Sequence, residues 1–174
     1  MMACVASFAT TATASPMAAL TFKQESSTPE GLPVTIEFGF DHPGGPVTGN
    51  AFGGGFAGLS QFRYRIGSIE VDLDDLKAFQ SACFADPLCQ PDFLQYDLAP
   101  DEGSMTFTDA EIFFTFQYRN GRLWGEFRTD APEPRGCFEG PCTYLGALVA
   151  VPEPMAIALL AGALVPLAVR RRRR

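Results

Sequence analysis

A chain of 174 residues, 47% of them apolar, accommodates one domain with appendages. Its 17 Gly and 14 Pro, together about 18% of the residues, favour many turns over long helices and point to a strand-rich fold. Residues 15–150 hold 8 basic and 19 acidic side chains, a formal net of −11, which excludes a nucleic-acid binder that relies on Lys and Arg against phosphate.

The first 22 residues are small, apolar or hydroxylated, and no charge precedes Lys23. Ala12-Thr13-Ala14 fits the small-residue cleavage site of a secretory signal, so residues 1–14 read as a signal peptide cut before Ser15. Its apolar stretch is short and a basic leader is missing, which makes it a weak or truncated signal; a disordered tail is the alternative. Strands are expected at 20–25 and 33–40; in the second, Val34, Ile36, Phe38 and Phe40 alternate with Thr35, Glu37 and Gly39. The turn at His42-Pro43-Gly44-Gly45 carries the single histidine, which reads as surface rather than as a catalytic base. The Gly-rich stretch 44–58 lacks the ending of a phosphate-binding loop and is expected to be a flexible loop holding Phe52 and Phe56.

Short strands are expected at 62–66, 68–72 and 93–98. Between the last two, Leu73, Leu76, Phe79 and Cys83 recur at helical spacing, with Asp72 placed to cap a short helix ending near Phe84. Asp72, Asp74 and Asp75 offer oxygens suited to calcium, but carboxylates also favour the start of a helix, and the capping role is preferred. No other metal-binding pattern and no cofactor motif appears.

The strongest local signal lies at 111–129, where Asn120-Gly121 is the preferred pair for a type I′ turn. That turn sets Arg119 opposite Arg122, Tyr118 opposite Leu123, Phe116 opposite Gly125, Phe114 opposite Phe127 and Ile112 opposite Thr129. These pairs form an apolar face, with the ring of Phe116 expected to cover the space left by Gly125. The other face carries Thr115, Gln117, Trp124, Glu126 and Arg128. The whole reads as a mainly β, compact antiparallel sandwich or barrel-like domain with one short helix.

Once a signal peptide removes Cys4, four cysteines remain, in the segments CFADPLC and CFEGPC. Four cysteines allow three pairings. The local ones, Cys83–Cys89 and Cys137–Cys142, are favoured because each spans a Pro-containing turn. A structural zinc site usually has closer spacing, and the parity suits an oxidising compartment.

The chain ends in three blocks: Pro152-Glu153-Pro154, an uncharged run of fifteen residues, MAIALLAGALVPLAV, that opens at Met155 and closes at Val169, and the basic tail Arg170, Arg171, Arg172, Arg173 and Arg174. As a helix the run would extend about 22 Å, short against a hydrocarbon core of about 30 Å. Snorkelling arginines and local thinning of the bilayer cover part of that difference, and Pro166 would kink the helix. The arginines fix an expected orientation with the body outside and the tail in the cytoplasm.

This ending resembles the PEP-CTERM sorting signal of Gram-negative and related bacteria, in which a Pro-Glu-Pro motif, a transmembrane helix and an Arg-rich tail follow one another. The resemblance covers residues 151–174. It implies an exosortase as partner, a membrane-embedded transpeptidase-like enzyme that processes its substrate at or near the motif. It also implies an inner-membrane intermediate on the way to the cell surface or to an extracellular, polysaccharide-rich biofilm matrix. A second copy of the tripeptide, Pro132-Glu133-Pro134, precedes no apolar run and is expected to be inert. For the body the expectation is a non-enzymatic surface or matrix protein, since no catalytic constellation is recognisable. The alternative is a carbohydrate-binding module or glycan-active enzyme with the same address, for which Trp124 and Glu126 are the relevant side chains. A tail anchor that is never processed would instead keep its arginines.

Overall fold

The computed structural model describes residues 18–25, 31–41, 46–130, 137 and 140–151. The expected signal peptide, the turn at His42, both Pro-Glu-Pro tripeptides, the uncharged run expected as a transmembrane helix and the arginine tail lie outside the described residues. Among the described residues no helix is long and apolar enough to cross a membrane.

The described chain forms one antiparallel, eleven-stranded sheet, curled into a half-barrel, with a single α-helix. It opens with β1 (Ala18–Gln24) and β2 (Val34–Phe40), the latter carrying the expected alternation. The stretch expected as a flexible loop instead contributes β3 (Val47–Asn50) and the two-residue β4 (Gly53–Gly54). Alternation is invisible there because the strands are short and three of the six residues are Gly. Next come β5 (Leu59–Ile66) and β6 (Ile69–Asp72), then α1 (Leu73–Ala85) and β7 (Leu94–Leu98), all near their expected places. Two strands were not expected: β8 (Glu102–Thr108), and β11 (Cys142–Ala150) after the hairpin of β9 (Ile112–Arg119) and β10 (Arg122–Thr129). The hairpin has the register set by its turn, residue for residue. Asn120 and Gly121 both have positive φ, at 51° and 73°, as a type I′ turn requires.

Across the sheet the order is β4-β3-β7-β8-β9-β10-β11-β1-β2-β5-β6. The curl brings distant strands face to face. Tyr64 on β5 stacks on Phe114 of β9 with ring centroids 4.1 Å apart, and Phe38 on β2 meets Phe116 of β9 edge-on at 5.6 Å. The core between the two halves is thus built largely from aromatic rings, whose offset and edge contacts add to their burial.

The helix occupies the mouth that the curl leaves open. It leaves directly from β6, the last strand of the sheet. Across the gap, the Gln80 side-chain amide donates to the Asn50 carbonyl at 2.7 Å, at the opposite edge. Leu76 is fully buried, and Phe79 meets Phe107 of β8 at 4.9 Å. Each edge strand is short and has the helix as neighbour, which limits edge-to-edge association. Cys83 bonds Cys89, so the helix end is tied to the connection that leads into β7. Cys137 bonds Cys142, the first residue of β11, and both are buried. The Cα atoms in the two pairs are 5.3 and 5.2 Å apart, within the span a disulfide bridges. Both local pairings are therefore the ones present.

One detail of the hairpin needs correction. The ring over Gly125 is that of Tyr144, the residue opposite it on β11, rather than that of Phe116. A Cβ at Gly125 would run into this ring and lie 2.6 Å from the Thr115 carbonyl oxygen. The same relation recurs at Gly103 with Tyr118 and at Gly49 with Tyr96, each a directly opposed pair. Gly125→Ala is expected to lose about 2 kcal/mol of stability, because backbone as well as ring would have to move. Denaturant unfolding measures this, and an unchanged midpoint would mean that the ring does not sit on the glycine.

All four tyrosines, Tyr64, Tyr96, Tyr118 and Tyr144, are buried, and burial raises every one of their hydroxyl pKa values above 10.0. Above that pH the unfolded chain releases protons that the folded chain retains, so stability must fall as pH rises. In an alkaline absorbance titration, tyrosinate is expected to emerge only together with loss of β circular dichroism. A separate ionisation step near pH 10, with the fold intact, would contradict the burial.

Candidate functional site

Trp124 is the one tryptophan of the chain and is 52% exposed. Register decides its surroundings. Odd positions of β9 and even positions of β10 face away from the core, so Gln117 lies directly across from Trp124. Ser104 lies across from Gln117, Asp97 across from Ser104, and Thr48 across from Asp97. A row of polar side chains therefore runs across five strands and ends on an indole. On its other side Trp124 is opposed by Leu145 of β11.

A groove of about 710 Å³ follows this row toward the end of the sheet where the turns at 99–102 and 120–121 meet. The two turns are tied together by the Asn120 N–H, which donates to the Asp101 carbonyl at 3.2 Å, and the buried Tyr118 hydroxyl of β9 donates to the Ala99 carbonyl at 2.5 Å. The groove's carboxylates, Asp97, Asp101 and Glu102, all belong to the β7–β8 hairpin, and its cations, Arg119 and Arg122, belong to the β9–β10 hairpin. Glu102 receives Arg119 at 3.3 Å, and Arg122 reaches both oxygens of Glu25 at 2.9 and 2.7 Å. These pairs are exposed and contribute little stability. The groove offers one stacking surface, amide and hydroxyl groups and three carboxylates, all three from one hairpin.

Glu126 stands on the same outer face as Trp124 but outside the groove, held by Arg128 at 2.7 Å. Arg128 in turn lies 5.9 Å from the centre of the Phe113 ring.

Asp72, Asp74 and Asp75 lie together at the start of α1. Asp72 accepts the backbone N–H groups of Asp74 and Asp75 at 2.8 and 3.0 Å, and Asp75 accepts the Asp72 N–H at 2.9 Å, a complete capping box. Those N–H groups hold the Asp72 carboxyl below its usual range, and Asp74 pairs with Lys77 at 3.2 Å. The three carboxylates are engaged in starting the helix, and among the described residues no cluster is gathered for a metal.

The polar row was missed at the sequence level because its middle strand, β8, was missed. The signal was there: Met105 and Phe107 alternate with Ser104, Thr106 and Thr108, and face Phe116 and Phe114. No family model matches the chain, and no curated protein and no solved structure matches it either.

Proposed function

We propose that the chain is an exported, non-enzymatic surface or matrix protein, sorted and processed by an exosortase through residues 151–174. One observation carries this reading beyond the motif itself. The sheet's hydrogen bonding runs to the residue before Pro152: Ala150 is the last residue of β11, and the Val151 N–H donates to the Ala19 carbonyl at 2.8 Å. Body and signal abut without a linker, so processing near Pro152-Glu153-Pro154 would release the domain without removing any described strand. Two disulfides in the body support an oxidising destination.

The intact mass of the mature protein from its own host tests this. The expected mass lacks the residues that follow the motif, with or without an added group. A mass that retains residues 155–174 would reduce the ending to an unprocessed tail anchor.

A second reading, a carbohydrate-binding module with the same address, is favoured by the groove beside Trp124. On a glycan array the folded protein would then bind a polysaccharide and Trp124→Ala would lose at least about tenfold in affinity, as expected for removal of a stacking ring. Equal binding by the variant would exclude this site.

A further inference from the structure

The outer face of β11 differs from the rest of the surface. Its outward positions from the middle of the strand onward are Leu145, Ala147, Val149 and Val151, without a single polar side chain. Leu145, Val149 and Val151 are 40%, 36% and 44% exposed. Trp124 extends this stripe onto β10, since it lies directly opposite Leu145. On the β1 side the facing residues are Thr21 opposite Val149 and Lys23 opposite Ala147. The ion pairs bordering the stripe are balanced, Arg122 with Glu25 and Arg128 with Glu126, while Lys23 adds a cation. In a body with a formal net charge of −11, an uncharged stripe with this border meets little repulsion from anionic headgroups.

The stripe also has a direction. It leads to Val151, and the uncharged run begins at residue 155. Four residue steps span at most about 14 Å of extended chain. A chain whose run 155–169 sits in a bilayer therefore holds the end of β11 within about 14 Å of the surface. An exposed indole next to aliphatic side chains is the composition that settles at the boundary of headgroups and acyl chains.

We propose that the β10–β11 face is a lipid-docking surface, laid against the bilayer while residues 155–169 remain in it, with Trp124 at the headgroup boundary. The proposal rests on the reading of 155–169 as a membrane segment, and it adds an orientation. The domain lies on its side with the β11 face down, and the acidic remainder of the surface faces away from the lipid. The groove beside Trp124 then opens along the membrane surface rather than into bulk solvent.

The full chain, reconstituted into phosphatidylcholine–phosphatidylglycerol vesicles, tests both layers separately, because its only tryptophan reports on position 124 alone. Flotation with the vesicles reads membrane insertion. Tryptophan fluorescence with brominated acyl chains, or with aqueous iodide, reads the contact of the face. The expected result is flotation, a blue-shifted emission, loss of about half its intensity to bromolipid and protection from iodide. The double variant Val149→Glu, Val151→Glu changes only exposed positions. It should still float but lose the bromolipid quenching. Flotation with Trp124 open to iodide and untouched by bromolipid would overturn the docking surface and leave the membrane segment standing. A chain that does not float would overturn both. Emission that responds to soluble polysaccharide and not to lipid would overturn docking in favour of the glycan reading.

Discussion

The fold depends on rings lying where side chains are absent. Three times a tyrosine stands directly across the sheet from a glycine: Tyr96 from Gly49, Tyr118 from Gly103 and Tyr144 from Gly125. In each pair the hydroxyl end of the tyrosine occupies space that a Cβ on the glycine would need. A sheet that curls tightly must shorten its inner face, and bulky residues on every inner position would resist that. Glycine opposite tyrosine keeps the buried apolar area while removing bulk from one strand of the pair. The aromatic stacks between halves, such as Tyr64 on Phe114, are possible because the curl has brought those strands together.

Local features of this arrangement were legible in the sequence, and relational ones less so. The hairpin around Asn120-Gly121 was legible because turn chemistry and two-residue alternation fix register together. The helix at Asp72 was legible from its cap and its apolar spacing, and the disulfides from short Pro-containing intervals. The fate of Gly125 was not. Its neighbour on one side, Phe116, is set by a local turn, whereas its neighbour on the other, Tyr144, is set by the return of a strand across the 131–141 connection. The strands β3 and β4 are hidden by glycine content, and β11 has apolar residues on both faces, so no period of two shows; β8 does alternate, but only over the five residues 104–108. The polar row ending at Trp124 is assembled from five strands and needs every register in turn. No single segment displays it.

The outer surface divides along the same lines. On one side of Trp124 the cross-strand neighbours are amide, hydroxyl and carboxylate; on the other they are aliphatic. The indole sits on this boundary. The groove and the proposed lipid-docking face thus share one residue, and an occupant of either would alter access to the other.

The joining of β1 to β11 has a consequence for the order of events in the chain's life. Leu20 pairs with Ala150, so the strand that begins the sheet is completed by the strand that ends it, in the middle of the strand order. A chain that crosses a membrane N-terminus first emerges with β1 and β2 able to pair at once, but with the other edge of β1 bare until residue 150 follows. Pairings so remote in sequence are the slow ones. The seam can close only when the stretch adjoining Pro152 reaches the same side. Completion of the domain and arrival of residue 151 are then a single event, and a chain stalled or cut short before that point would present an open strand edge.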